Sequence, residues 1–293
     1  MRETFPRVFE VLDMGALRDQ MQREMVLRRM AERTQQAYLF QVAALAKYYH
    51  RSPDQLTEQE VQAYLLQLVE VRQLARSSCL QALYGLRFFY HQTLKRRDFR
   101  LGLPRSRTQQ KLPEILSCEE IERLFAAAAN VKHRALLMTT YGAGLRVSEV
   151  CALKLADIDS RRMMIRVEQG KGAKDRYSLL SPPLLAEIRQ YWRAERPEQW
   201  LFPAERTPQR PMAVETAQKI YYRTHRRADL RKQGGIHGLR HAFATHLLEG
   251  GTDLLTIQRL LGHSEIQTTM RYFHLARHKV APMSSALGLL TIP

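Results

Sequence analysis

The stretch MMIRVEQGKGAKDRYSL, residues 163–179, is where the hydrophobic period of the chain changes. Met163, Ile165 and Val167 recur every second residue, Gly170-Lys171-Gly172 breaks the run, and Tyr177 and Leu179 resume it. A period of two places alternate side chains on opposite faces, and two such runs around a glycine-bounded break predict a β-hairpin. Elsewhere the apolar residues recur every three or four positions, the mark of amphipathic helices. The expected fold class is therefore mainly α, with one small β-sheet in the C-terminal domain.

On the C-terminal side, helices are expected over Leu184–Arg196, Val214–Ala228, His237–Glu249 and Thr252–Leu261. Gly250-Gly251 closes the third of these, and Gly262 closes the fourth. On the N-terminal side, Ser117 and Glu120 form a capping-box pattern ahead of Ile121–Ala129, helices follow over Val131–Tyr141 and Val147–Leu153, and Gly142 and Gly144 surround a turn. Earlier still, Ala16–Ala31, Thr34–His50, Val61–Val69 and Arg76–Leu94 read as four helices, the third opened by a second capping box, Thr57 with Glu60. Between Lys95 and Lys111 the character shifts to seven basic residues against the single acid Asp98, with Gly102 and Pro104 as helix breakers. The expected organisation is a helical domain over residues 1–100, a basic linker over 101–112, a second domain over 113–280 and a tail over 281–293.

Composition narrows the function. The 293 residues carry 46 Lys+Arg against 29 Asp+Glu, a formal net charge of +17. Residues 101–293 contribute 30 − 18 = +12 of it, and residues 1–100 contribute 16 − 11 = +5. Such an excess most simply implies a polyanionic partner, nucleic acid being the commonest. No apolar run reaches the roughly 18 residues of a membrane span, and the first residues carry acids where a signal peptide is apolar, so a cytoplasmic protein is expected. Cys79, Cys118 and Cys151 are too few and too scattered for a disulfide framework or a four-cysteine zinc site. The Gly170-Lys171-Gly172 segment lacks the Ser/Thr of an ATP-binding loop, and no dinucleotide fingerprint or serine elbow is present. His237 and His241 share a helix face four residues apart, but the glutamate of a His-Glu-x-x-His zinc motif is missing. Neither metal nor organic cofactor is expected.

What remains is a set of cationic and polar residues at defined positions. His237 and Arg240 open a helix, close to the positive end of its dipole, which suits an anion. His263 follows the helix-ending Gly262, Tyr272 comes nine residues later, and Arg146 lies just beyond the Gly142–Gly144 turn with Glu149 three residues on. Taken singly, each has an ordinary explanation: a surface ion pair, a hairpin-tip lysine, a turn histidine or a half-buried aromatic.

Together they do not. Thr140-Tyr-Gly-Ala-Gly-Leu-Arg146-Val-Ser-Glu149, Gly170-Lys171-Gly172-Ala-Lys174-Asp-Arg176, His237-Gly-Leu-Arg240-His241-Ala-Phe-Ala-Thr-His246 and Leu261-Gly262-His263-Ser-Glu-Ile-Gln-Thr-Thr-Met-Arg-Tyr272 closely resemble, in this order, the tyrosine recombinase (phage integrase) family, and within it the Xer-like and mobile-element integrases. The resemblance spans about residues 16–280. It implies a SAM-like core-binding domain joined to a catalytic domain in a C-shaped clamp around double-stranded DNA. It further implies that Tyr272 attacks a phosphodiester to leave a 3′-phosphotyrosyl enzyme, and that Arg146 and Arg240 hold the non-bridging oxygens with forked guanidiniums. On the same resemblance His263 hydrogen-bonds the phosphate, His237 accepts a proton or orients, Lys171 protonates the leaving 5′-oxygen, and Glu149 braces the arginines. Strand exchange through a Holliday junction in a DNA-bound tetramer is implied, with a partner recombinase or accessory protein where the system requires one and the C-terminal tail as a candidate link between subunits. Two alternatives remain open: a monomeric relaxase resembling type IB topoisomerases, and a catalytically silent DNA-binding regulator derived from an integrase.

Overall fold

The computed structural model describes residues 14–104, 114–168 and 175–273. The chain divides into two units, Met1–Gln109 and Gln110–Pro293. Lys171 and residues 281–293, each given a role above, lie outside the described residues, as do residues 105–112 of the expected linker.

In the first unit four helices pack around one core: α1 (Met14–Leu27), α2 (Glu32–Tyr49), α3 (Glu58–Glu70) and α4 (Arg76–Phe88). Both halves of the α3 capping box form, with the Thr57 hydroxyl accepting from the Glu60 N–H and the Glu60 carboxylate accepting from the Thr57 N–H. Val42 and Leu45 of α2 and Tyr64, Leu65 and Leu68 of α3 are buried where their spacing places them, whereas Tyr84 of α4 faces solvent. The helix expected to reach Leu94 instead widens into a π turn over Phe89–Thr93. That turn buries two successive aromatics: Tyr90 stacks on Phe99 at 4.3 Å, and its hydroxyl donates to the Pro53 carbonyl at 2.6 Å.

The second unit begins with α5 (Cys118–Ala126), capped by Ser117 and Glu120 in the second box, followed by α6 (Val131–Gly142) and the short α7 (Val147–Cys151). A three-stranded antiparallel sheet follows, in the order β1 (Ile158–Asp159), β2 (Met164–Val167), β3 (Arg176–Leu179). The expected hairpin is β2 with β3, and the edge strand β1 was not anticipated, because two residues carry no readable period. The facing of β3 also differs from expectation. Tyr177 and Leu179 are exposed, and Ser178 and Leu180 point inward. The register explains this: Ser178 sits opposite the fully buried Ile165, and directly opposed residues share a face of the sheet. Ser178 remains satisfied inside because its hydroxyl donates to the Ala143 carbonyl at 2.7 Å.

Helices α8 (Pro182–Glu195) and α9 (Val214–Arg227) complete the main core with α5, α6 and the sheet. Helices α10 (His237–Glu249), α11 (Leu254–Leu261) and α12 (Ile266–Phe273) add a smaller cluster of Phe243, Ala244, Ile257, Leu261 and Tyr272. Among the described residues no helix is long and apolar enough to cross a membrane.

Candidate active site

Two glycines let the backbone close around one spot. Gly144 has φ +58, and a Cβ there would lie 2.3 Å from the Phe243 ring, so the turn after α6 presses against α10 only because the side chain is missing. Gly262, φ +63, ends α11 against the Arg176 side chain, which a Cβ would meet at 2.6 Å. Between these turns lies a cluster of ionic and imidazole groups drawn from α7, β3, α10, α12 and the turn after α11.

Glu149 is its hub. Arg146 caps α7, and the Glu149 carboxylate accepts from the Arg146 backbone N–H at 2.8 Å and from its Nη1 at 2.6 Å. Arg176 binds the same carboxylate through both Nη atoms, at 2.8 and 2.7 Å, and donates from Nε to the Leu260 carbonyl at 2.9 Å. Arg240 approaches it at 3.7 Å. Burial opposes the negative charge, but the hydrogen bonds and charge of Arg176, followed by those of Arg146, prevail and hold the carboxyl at about 2. Three guanidiniums against one carboxylate leave two positive charges in excess. Arg146 with Glu149 is thus no surface pair, the Glu149 side chain being 7% exposed.

Arg240 is 1% exposed, and its Nη1 and Nη2 donate to the carbonyls of Gly144 and Leu261, both at 2.6 Å. Burial lowers its pKa to about 10, so it keeps its charge at neutral pH. Nη2 also meets His263 Nε2 at 3.1 Å. A guanidinium only donates, so Nε2 must accept, and the ring hydrogen of the neutral imidazole sits on Nδ1, facing the buried Thr269 hydroxyl at 2.9 Å. Burial first, then the charges of Arg240, Arg146 and Arg176, hold His263 at about 4.

Tyr272 of α12 completes the cluster at 3% exposure, its ring parallel to that of His263 with centroids 6.3 Å apart. Burial pushes the phenol up, while the charges of Arg240, Arg146 and Arg271 pull it down, which places its oxygen within the field of the arginines. The structure therefore brings together Arg146, Arg240, His263 and Tyr272. His237 opens α10 with an exposed side chain, its ring 4.6 Å from that of His241.

Two members of the cluster had no role in the sequence reading. Arg176 stands in the Gly170–Arg176 segment, but nothing in its spacing shows that it clasps Glu149. In the sequence His241 reads only as half of a metal pair with His237; in the structure its Nδ1 lies 3.0 Å from the Tyr272 hydroxyl. Among the described residues, no three His, Cys, Asp or Glu side chains are placed to hold a metal.

A buried excess of guanidinium charge beside a tyrosine hydroxyl, in a mainly helical unit with one small sheet, defines a site for an anionic group such as a phosphodiester. The phage integrase family profile matches residues 114–279, and the profile of the phage integrase N-terminal SAM-like domain matches residues 17–98. The chain belongs to the phage integrase family and is a tyrosine recombinase of the Xer-like kind. It is 43% identical over 286 residues to "Putative integrase/recombinase y4qK" of Sinorhizobium fredii, covering 97% of this chain and 92% of that one. The crystal structure of XerA recombinase superimposes with a TM-score of 0.54 at 26% identity, over 93% of this chain and 98% of that one. A lambda integrase tetramer bound to a Holliday junction shares the fold, with a TM-score of 0.69 at 16% identity over 90% of this chain and 78% of that one.

Proposed function

We propose that this protein is a site-specific DNA recombinase that cuts and rejoins double-stranded DNA through a 3′-phosphotyrosyl link to Tyr272. The observation that carries the reading is the burial of the Tyr272 hydroxyl beside Arg146 and Arg240, within a cluster holding two excess positive charges. A phenol with a pKa near 10 is a poor nucleophile at neutral pH, so a site must stabilise the charge that develops on phosphorus. Arg146, whose side chain is 22% exposed, is the guanidinium the scissile phosphate reaches first. Arg240 contributes by exchanging its hydrogen bond to His263 for one to a phosphate oxygen. His263 then turns from acceptor to donor by taking up a proton, which the added negative charge favours. His237 orients or accepts a proton at the exposed mouth of the site, and Lys171 protonates the leaving 5′-oxygen. Glu149 and Arg176 set the positions of Arg146 and of the Leu260–His263 turn.

The 5′-hydroxyl released by cleavage can attack a neighbouring phosphotyrosine, so the link conserves the backbone bond and religation calls for no nucleotide cofactor. Both domains engage the duplex, residues 1–100 as the SAM-like part, 113–280 as the catalytic part and the basic linker between. Four protomers exchange strands through a Holliday junction, in DNA integration and excision or in replicon dimer resolution, in the cytoplasm.

Covalent capture tests this. Wild type and Tyr272→Phe are incubated with nicked duplexes from the protein's own genomic neighbourhood, then denatured and probed for protein on a 3′ end. An adduct with wild type alone is expected. Tyr272→Phe should bind the same DNA with unchanged affinity, since it removes one hydroxyl and no charge. An adduct that persists in Tyr272→Phe would refute the assignment.

A further inference from the structure

His263 stands on a turn whose backbone is fixed from several sides. Its N–H donates to the Gln258 carbonyl at 3.2 Å, its carbonyl accepts from Gln258 Nε2 at 3.1 Å, and the nearby Leu261 carbonyl accepts from Arg240. A fixed backbone still leaves the imidazole two torsions, which only contacts to the ring can set. Among the described residues two polar groups do so, one on each nitrogen: Arg240 Nη2 is 3.1 Å from Nε2, and the Thr269 hydroxyl is 2.9 Å from Nδ1. Since Arg240 can only donate, Nε2 accepts, and the Nδ1 hydrogen goes to Thr269.

These two contacts have different fates when a phosphodiester enters. The phosphate draws Arg240 away from Nε2, and Nε2 must then carry a hydrogen in order to donate to a phosphate oxygen. The contact to Thr269 lies on the other nitrogen, at a side chain with no exposed surface, so no substrate atom reaches it. It alone persists through the exchange.

We propose that Thr269 is the positioning residue of His263: by accepting from Nδ1–H it fixes the orientation and tautomer of the ring, so that Nε2 is the nitrogen offered to the scissile phosphate. The inference rests on the reading of Tyr272 as nucleophile and His263 as phosphate ligand. A half-turn of the ring about its outer torsion replaces Nδ1 by a carbon and breaks the bond to Thr269, so the hydroxyl selects one of the two ring orientations. While Nδ1 keeps its hydrogen, the proton that His263 takes up can add only at Nε2, where it faces the phosphate. The bond to Thr269 strengthens as the ring becomes charged, because a charged donor makes the stronger hydrogen bond.

The brace belongs to the helix that carries the nucleophile. Thr269 and Tyr272 lie three residues apart on α12, both buried, and the Tyr272 ring runs parallel to that of His263. One helix placement therefore sets the phenol and the phosphate-binding imidazole together.

The test is single-turnover cleavage by the full-length protein on a nicked duplex that traps the wild type. Thr269→Val keeps the shape and removes the acceptor, whereas Thr269→Ser keeps the hydroxyl. Thr269→Val should slow cleavage by about 10–100-fold, the loss typical when the partner that orients a metal-bound imidazole is removed, and should bind the duplex with unchanged affinity. Thr269→Ser should cleave close to the wild-type rate. A double-mutant cycle separates this role from packing: in a His263→Ala background, Thr269→Val should cost nothing further, because its effect runs through the imidazole. Cleavage by Thr269→Val at the wild-type rate would overturn the proposal. So would a loss that Thr269→Ser shares, or one that adds in full to that of His263→Ala, since either makes Thr269 a packing residue of α12. If Tyr272→Phe itself forms an adduct, or His263→Ala cleaves like wild type, the parent reading fails instead, and the two failures are told apart.

Discussion

Replacing Glu149 by glutamine tests whether the site is held by one buried carboxylate. In the folded protein this carboxyl is depressed from 4.5 to about 2. A difference of roughly 2.5 units corresponds to about 3 kcal/mol of folding free energy. A second route agrees: removing one partner of a buried ion pair costs about 3–5 kcal/mol. Because the Glu149 side chain is only 7% exposed, solvent screening takes little from either figure. Glu149→Gln should therefore unfold about 3 kcal/mol more easily at pH 7, a large part of the roughly 5–15 kcal/mol typical of a domain. Urea unfolding followed by tryptophan fluorescence reads the relevant unit, since both tryptophans, Trp192 and Trp200, belong to Gln110–Pro293. The pH dependence is the sharper signature. A carboxyl with a depressed folded pKa stabilises fully above its unfolded value and loses that contribution as pH falls through the folded one. The gap between wild type and Glu149→Gln should thus be constant above pH 4.5 and narrow by about 2 kcal/mol on reaching pH 3. Equal stabilities at pH 7, or a gap that stays constant from pH 5 to pH 3, would show that the guanidiniums do not depend on Glu149.

Gly144→Ala should destabilise the second unit by about 2–5 kcal/mol, combining the left-handed backbone cost with overpacking against Phe243. In thermal melts, pairing it with Phe243→Ala should cost less than the sum of the two single changes, because the clash is removed. Acid should also weaken the fold well above the range of Glu149. His241 and His263 are held at about 4 against an ordinary 6.5, so between these values the unfolded chain binds protons that the folded chain refuses. Stability is then full above pH 6.5 and falls on the way down to pH 4, by on the order of 3 kcal/mol for each half-sheltered imidazole at most. Urea midpoints across that range should fall less steeply for the double variant His241→Gln with His263→Asn, and parallel curves would contradict the assignment.

The helical framework was legible because its signals are local. Two capping boxes, the three-and-four spacing of α2 and α3, and the glycines after α10 and α11 each act within a few residues. The sheet was half legible. Ile165 and Val167 face inward as their alternation implies, but the facing of β3 depends on its register against β2, and the period inside β3 does not contain that information. The residues gathered at the site were legible for another reason: four separated motifs occur in one order, and their joint presence says more than any one of them. Arg176 and His241 stood inside two of those motifs without a visible role. What makes them matter is tertiary: a clasp between Arg176 and Glu149 across 27 positions, and a hydrogen bond between His241 and Tyr272 across 31.

The electrostatics of the cluster bear on how a recombinase of the proposed kind avoids cutting without its substrate. Arg146, Arg176 and Arg240 outnumber Glu149, and the excess that would draw in a phosphate, after burial, also lowers the proton affinity of His263. In the free protein burial holds the Tyr272 phenol above its ordinary range, so the tyrosine remains protonated at neutral pH. With the phosphate present, one negative charge acts on all of these groups together. It would occupy Arg146, compete with His263 for Arg240, and raise the basicity of the His263 imidazole. On the proposed reading, substrate binding and the protonation of His263 would be one electrostatic event. A variant that lowers the positive excess, such as Arg176→Gln, should raise the pKa of His263 in the free protein, and NMR titration of the ring protons would detect the shift. An unchanged titration in Arg176→Gln would mean that the arginine excess does not set His263, and that a bound phosphate would not recharge it.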